Sequence, residues 1–225
     1  MSFFIVEKKG KNIITAPHSS SLRYDSDYLG SADRGTDIIA RRVSNELYFT
    51  LISPKYSRFI VDFNRPKKES ILTQFKVHKL ATISNEEKEK RLNQYEKYYY
   101  ELKKICYKKS FHIAIHSMTS IASKNTVDEG IVRPDIRLGT LNGKSIKNEI
   151  LDKFVNILKN MNFSIEIDNY FKGGEEIRQT SNLGLSSLQI EINSRLILDY
   201  GKNEICEVKI EKVSEILILA LKEIL

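Results

Sequence analysis

The chain has 225 residues, 41% of them hydrophobic, which is enough to bury one full core and suits a single domain over residues 1–225. No apolar run approaches the roughly 20 residues of a membrane helix, and "MSFFIVEKKGK" is too short in its hydrophobic stretch and wrong in its charge order for a secretory signal, so a cytoplasmic protein with no membrane partner is expected. The formal charge of +7 admits a nucleic acid, a membrane surface or an anionic small molecule, but the positive residues are mostly Lys mixed with Glu, the pattern of a solvated face.

In chain order, "NIITAPHSS" gives a β-rich run stopped by Pro17, and "DRGTDIIARRVSNEL" sets Ile38, Ile39, Val43 and Leu47 on one helical stripe after an acidic start at Asp33. "LYFTLIS" and "SRFIVDFNRP" read as two strands with a turn at Pro54, the second halted by Pro66. Residues 67–83 read as loop. A polar helix covers roughly 84–107. Its aromatic residues suit stacking on a nucleic acid, yet Leu92, Tyr95, Tyr99, Leu102 and Cys106 recur at spacings of three and four, the stripe of a helix packed on a core.

"FHIAIH" is a further β run, followed by a loop over 117–145 with a short strand at "DIRLGT". Helix 146–161 carries Ile150, Phe154, Ile157, Leu158 and Met161 on one face and leads into strand "NFSIEI". Strand "SLQIEIN" and a last helix with Ile210, Val213, Leu217 and Leu221 in register complete the chain. The alternation predicts an α/β sheet with helices on both faces, mixed in direction where "LYFTLIS" and "SRFIVDF" lie too close for a crossover helix. Cys106 and Cys206 stand alone, which argues against a disulfide framework or a zinc ribbon and for reduced thiols.

Such sheets hold their sites at the carboxyl ends of strands. Here those ends carry Pro17-His18-Ser19, Asp62-Phe63-Asn64-Arg65, His116-Ser117 and the segment around Glu191, the residue types of a metallohydrolase. In "HIAIHSMTS" the two histidines are four apart. On a helix they would grip one zinc, but Phe111, Ile113 and Ile115 alternate with His112, Ala114 and His116, which is strand periodicity. On a strand the two imidazoles are about 13 Å apart, too far for one ion with bonds near ~2 Å. His116, at the strand end, is then the candidate ligand and His112 a structural residue. Adding His18 and Asp33 gives two imidazoles and a carboxylate, a three-ligand zinc site that keeps a position for water. Asp33 also reads as a helix-start acid, and Asp37, one turn on, is an alternative ligand or a support for His18.

"APHSS", "SADRGTDIIA", "YSRFIVDFNRP", "IHSMTS", "RPDIRLGT", "YFKGGEEIRQ" and "LQIEIN" follow one another in an order and spacing that resemble the N-formylglutamate amidohydrolase family, from about residue 14 to about residue 195. Members are zinc hydrolases whose fold is similar to that of zinc carboxypeptidases (phosphorylase/hydrolase-like). The resemblance implies Zn2+ as cofactor with His18, Asp33 and His116 as ligands, and Glu191 as general base and acid. It also implies Arg58, Asn64 and Arg65 as the group that holds a substrate carboxylate and polarises the scissile carbonyl. The family commonly reads Pro-His-Ser-Gly where this chain has Ser20, and the segment after Arg65 is shorter than usual, which leaves the acyl group unspecified.

Those residue types suit amide hydrolysis. A zinc ion brings the pKa of water from 15.7 toward ~7, and a carboxylate such as Glu191 takes the proton and later hands it to the leaving amine. In "LQIEIN" Gln189, Glu191 and Asn193 share one face and Leu188, Ile190 and Ile192 the other, so spacing leaves Glu191 either catalytic or solvent-facing. Arg58 and Arg65 can bind a carboxylate bidentately; the alternative is surface charge, against which stands the Lys bias of the chain. Lys172 in "FKGG" can steady a loop over the site, with Gly173 and Gly174 letting backbone approach the substrate, and the segment reads equally as a simple turn. The expected substrate is therefore an N-acyl amino acid or a small peptide with a free carboxylate. A carboxypeptidase or cell-wall peptide amidase on the same scaffold is the nearest alternative, and a basic nucleic-acid-binding module the more distant one.

Overall fold

The structure, a computed structural model, describes residues 2–21, 32–71, 84–106, 110–124, 126–202 and 204–225. Its strands are β1 (Phe4–Glu7), β2 (Ile13–Thr15), β3 (Thr50–Pro54), β4 (Phe111–Met118), β5 (Ile136–Gly139), β6 (Ile165–Ile167) and β7 (Ser186–Asn193), followed by the small pair β8 (Leu198–Asp199) and β9 (Glu204–Ile205). Its helices are α1 (Thr36–Leu47), α2 (Asn85–Ile105), α3 (Asn148–Asn160), α4 (Glu175–Asn182) and α5 (Glu207–Lys222). The first seven strands form one sheet in the order β1-β3-β2-β4-β7-β5-β6. Strand β2 runs parallel to β3 and β4, β4 to β7, and β5 to β6, whereas β1 is antiparallel to β3 and β5 to β7. This is the mixed α/β sheet flanked by helices that the sequence predicts.

Side chains alternate across each strand, and here the alternation sorts chemistry. One face presents Ile14, Leu51, Ile113, Ile115, Ile136, Leu138, Leu188, Ile190 and Ile192, packed under the apolar stripes of α1, α3 and α5. The last helix buries Ile210, Val213, Leu217 and Leu221 as its spacing requires. In α3 the stripe is rotated slightly, with Leu151 and Val155 buried beside Phe154 and Leu158. The opposite face is covered by α2, α4 and the segment 57–71, with a second core of Phe4, Ile13, Ile52, Phe63, Tyr98 and Leu102 among others. Tyr95 and Tyr98 are buried in that core and Tyr99 packs on it, so these rings do not form an open stacking platform. Ser84 caps α2 by accepting a hydrogen bond from the Glu87 amide at 3.1 Å.

Two expectations need correction. "SRFIVDFNRP" is not a strand: residues 57–66 are a series of turns, closed by bonds such as Ile60 N–H to Ser57 O at 2.8 Å and Arg65 N–H to Asp62 O at 3.3 Å. The side chains of Ser57 and Asp62 accept from the amides of Phe59 and Asn64, which satisfies the backbone locally and competes with a sheet ladder. Phe59, Ile60, Val61 and Phe63 are all buried, so no face of this segment is left for alternation. The antiparallel partner of β3 is instead the N-terminal strand β1. Second, Asp33 does not begin a helix: α1 starts at Thr36, with Gly35 at its cap in the left-handed region. The loop expected over 67–83 lies outside the described residues beyond Ile71.

Helix α4 and the β8–β9 pair are absent from the sequence reading. The buried face of α4 is mostly polar (Glu175, Glu176 and Thr180 beside Ile177), so it lacks a hydrophobic period. Its one legible signal is the acidic first turn after Gly173-Gly174.

Candidate active site

Strands β2 and β4 lie side by side and parallel, and both deliver a histidine beyond or at their carboxyl ends. After β2, Pro17 turns the chain and His18 is buried beneath it. The His18 carbonyl accepts from the Asp33 amide at 2.8 Å, which ties the residue to the segment entering α1. On β4, His116 points from the polar face. Asp33 Oδ2 accepts from His116 Nδ1 at 3.0 Å and from the Ser117 amide at 3.2 Å, and lies 3.6 Å from His18 Nδ1. The ligand atoms of His18, Asp33 and His116 all fall within 4.8 Å of one another.

The outer edges of both imidazoles are occupied. His18 Nε2–H donates to Asp62 Oδ1 at 2.8 Å, and Arg58 Nη2 donates to Asp62 Oδ2 at 2.9 Å. That leaves the Nδ1 lone pair of neutral His18 facing the centre, where Arg58 Nη1 donates to it at 2.9 Å. Burial and Arg58 resist a charge on His18, but Asp62 and Asp33 outweigh them and its pKa is raised. Burial also disfavours the charged forms of Asp33 and Asp62, yet the flanking imidazoles, with Arg58 beside Asp62, hold both carboxyls well below the usual range.

Glu191 is the register partner of His116 across β4 and β7, which places the two side chains on one face. It is 5% exposed, so the solvent-facing alternative does not describe it. Gln189 Nε2 donates to Glu191 Oε1 at 2.8 Å, and Gln189 Oε1 accepts from the Gly174 amide at 2.8 Å. Burial pushes the Glu191 carboxyl up to about 7, with Asp33 adding to the rise and His116, Gln189 and Arg58 opposing it. Arg137 stands next to Glu191 on the other side, in register on β5, but its guanidinium turns to Asp128 and Glu166, both at 2.7 Å. The neighbouring cation therefore does not quench this carboxylate as an ion pair.

A buried carboxyl with a pKa near neutrality, beside a three-donor cluster at the carboxyl ends of parallel strands, is a hydrolase arrangement. The N-formylglutamate amidohydrolase family profile matches residues 10–198. The chain belongs to that family. It is thus an amidohydrolase-family protein in which the cluster and Glu191 fall inside the matched span. N-formylglutamate amidohydrolase from Ralstonia eutropha JMP134 shares its fold with a TM-score of 0.77 at 18% identity, over 98% of this chain and 96% of that one. A gene product from Agrobacterium tumefaciens does so at 0.69 and 18% identity, over 100% and 96%. A bacteriophage poly-γ-glutamate hydrolase does so at 0.53 and 13% identity, over 99% and 89%. A comparison with curated protein sequences returns no significant match.

The donor set of this family member fits a zinc ion. Two imidazole nitrogens and one carboxylate oxygen are the usual donors, and bonds of ~2.0–2.1 Å in tetrahedral array set neighbouring donors about 3.3 Å apart. The Asp33 contacts at 3.0 and 3.6 Å bracket that spacing. An ion on His18 Nδ1 would share that lone pair with the Arg58 hydrogen bond, so the two are alternatives. Asp33 is the carboxylate of the cluster, while Asp37 lies in the first turn of α1 and Asp62 is the acid that supports His18.

The other expected site residues divide. Arg58 is at the centre, its side chain 19% exposed. Arg65 is at the rim, with a side chain 54% exposed and its Nε 4.0 Å from Asp62 Oδ2. Asn64 is buried, its Nδ2 3.2 Å from His116 Nε2. Lys172 is exposed, and its carbonyl accepts from the Leu141 amide at 2.6 Å, which docks the glycine loop on the end of β5. A Cβ on Gly139 would come within 2.5 Å of Gly173 N, so that docking needs glycine in the strand as well. His112 is fully buried between Thr15 and Thr180, at 3.0 and 2.9 Å. Burial, with His116 second, brings its pKa down to about 3, so it is a neutral structural residue. Sequence reasoning assigned no role to Asp62 or Gln189. The signal for Asp62 lay in its place between Arg58 and Asn64, and that for Gln189 in sharing a strand face with Glu191.

Proposed function

We propose that this chain is a zinc-dependent amidohydrolase that cleaves an N-acyl amino acid, or a small peptide ending in a free carboxylate. The observation that carries the reading is the convergence of His18, Asp33 and His116 with Glu191 in register beside His116. When bound there, zinc would supply a Lewis acid that acidifies water and polarises the scissile carbonyl. Glu191 accepts the proton of the attacking water, and its pKa near 7 lets it return that proton to the departing amide nitrogen. Gln189 fixes the carboxylate by occupying Oε1, which leaves Oε2 for the reacting proton. Arg58 places a guanidinium against the centre, where it can stabilise negative charge developing on the carbonyl oxygen.

Arg65, at the rim with its Nε 4.0 Å from Asp62 Oδ2, would meet the substrate carboxylate, and Lys172 would add a second cation near the loop. A cavity of about 500 Å³ opens beside Asp33, lined by Arg34, Ser117, Thr119, Ile121 and Tyr200 among others, and has room for the acyl or side-chain portion. The named relatives act on N-formylglutamate and poly-γ-glutamate, which supports an amide close to a carboxylate as the substrate class. Among the described residues no helix is long and apolar enough to cross a membrane.

The test joins metal content to substrate choice. Purified protein is expected to hold about one zinc per chain, lost in His18→Ala and His116→Ala and kept in His112→Ala, because three ligands leave little redundancy. The zinc-loaded protein should hydrolyse N-acyl amino acids with kcat/KM roughly 10²-fold above that for their C-terminal amides. Full zinc in His116→Ala overturns the metal site, and equal rates on acid and amide overturn the carboxylate reading.

A further inference from the structure

Gly174 has φ −90° and ψ −167°, a backbone state open to any residue, so conformation is not what this position asks of its side chain. Space is. A Cβ there would lie 1.9 Å from Asn64 Oδ1, 2.2 Å from Cγ and 2.3 Å from Nδ2, inside the carboxamide itself. Asn64 cannot retreat easily. Its own amide donates to Asp62 Oδ1 at 3.0 Å, and its carbonyl accepts from the Glu175 amide at 3.2 Å. The second glycine of "KGG" thus abuts the carboxamide on one side and His116 Nε2 lies 3.2 Å from it on another, while the turn at Asp62 fixes the backbone that carries it. Among the described residues its buried Oδ1 has no hydrogen-bond partner.

We infer that Asn64, abutted by Gly174, is the positioning residue of His116 and offers its amide oxygen to Nε2–H when Nδ1 holds a metal ion. The inference rests on the reading of His18, Asp33 and His116 as a metal site. A neutral imidazole has one proton. In this structure His116 Nδ1–H donates to Asp33, so Nε2 accepts from Asn64 Nδ2 and the amide oxygen is left over. An ion on Nδ1 needs the lone pair there, which moves the proton to Nε2 and turns that atom into a donor. Only Oδ1 can then face it. The two ends of a carboxamide are nearly the same size, so turning it over fits the same space.

The two histidines are consequently held by different means. His18 has a carboxylate, Asp62, that can only accept, and its tautomer is fixed. His116 has an amide that can serve either tautomer. This role differs from the substrate contact that the family resemblance implies for Asn64, and it gives Gly174 a function through space alone.

Zinc affinity, measured by competition with a chromophoric chelator, tests the inference without using turnover, and far-UV circular dichroism of the metal-free proteins checks folding. Asn64→Ala and Gly174→Ala should each weaken zinc binding roughly 10- to 100-fold, the usual cost of losing a partner that orients a ligand. Asn64→Asp, which keeps an acceptor for Nε2–H, should bind at least as tightly as the parent. The double variant Asn64→Ala/Gly174→Ala should be no weaker than Asn64→Ala alone, because the atoms that a Cβ would strike are gone. Parent-like affinity in Asn64→Ala, or losses that add in the double variant, overturn the inference while the metal site stands. Failure of the parent to bind zinc overturns both.

Discussion

The two faces of the sheet are built from the same strands and do opposite work. On β7, Leu188, Ile190 and Ile192 enter the core under α1, α3 and α5, while Gln189 and Glu191 enter the polar row beside His116. Both sets are buried, so exposure does not separate them. What separates them is how burial is made tolerable. The apolar face gains from removal of its surface from water. The polar face is costly to bury unless each group finds a partner, and it finds them in chains: Tyr98 and Thr15 donate to the buried Glu176, Thr15 meets His112, and His112 meets Thr180. Glu191 stands out within this row because the cation next to it in register is engaged by Asp128 and Glu166. A stable domain needs the first face, and reactive groups near neutrality come from the second.

The sharpest way to break this division is Glu191→Gln. The amide keeps the shape and can still hydrogen-bond, but it cannot take a proton, so kcat should fall on the order of 10²- to 10⁴-fold. Zinc content and thermal unfolding should change little. In the parent the acidic limb of kcat/KM should lie at or below about 7, since burial raises the Glu191 pKa to about 7 and a bound cation nearby draws it down. Activity is lost as pH falls through that value, because the base becomes protonated. A variant that retains parental turnover removes Glu191 from the chemistry.

The opposite face should answer in the other currency. Phe154, fully buried on α3, packs in the apolar core on the face away from the polar row, and Phe154→Ala should cost about 3–5 kcal/mol of stability by leaving a cavity. Denaturant unfolding measures the loss, while the fraction that remains folded should keep parental zinc affinity and KM. A matching drop in zinc affinity would show that the two faces are mechanically coupled.

How much of this was legible in the sequence follows from the same contrast. Strands and helices that obey a hydrophobic period, such as β4, β7 and α5, are readable, and the period of two in "FHIAIH" is that of β4, which brings His116 and not His112 into the cluster. Segments on the polar face are not. The turns of 57–66 bury consecutive apolar residues and satisfy their backbone through Ser57 and Asp62, which mimics a strand in composition. Helix α4 buries Glu175, Glu176 and Thr180, so its inward face reads as solvent-exposed. For the site, strand ends point to His18, His116 and the segment around Glu191, the acid after the first of these adds Asp33, and the family resemblance implies the role of each. The partners that hold them (Asp62, Gln189 and the amide of Asn64) depend on long-range contacts that no local spacing encodes.

The smallest of the expected effects, and the one that probes how the polar face supports its ligands, is Asp62→Asn. Asp62 is fully buried and serves three donors at once: His18 Nε2, Arg58 Nη2 and the Asn64 amide. An asparagine can keep Oδ1 as the acceptor for His18 and for Asn64, so the turn and the tautomer survive. Its Nδ2, however, meets Arg58 donor against donor, and the negative charge that would make His18 a stronger metal ligand is gone. Zinc affinity should fall about 10- to 100-fold, the size of effect typical for losing a carboxylate behind a ligating histidine. Arg58, released from its ion pair, should lose its fixed position at the centre, so kcat of the zinc-saturated variant should fall as well, whereas Phe154→Ala should leave kcat intact. Zinc titration followed by kinetics at saturating metal separates the two losses. If affinity and saturated kcat both stay parental, Asp62 serves only the turn at 62–64, and the support of His18 must come from elsewhere in the polar row.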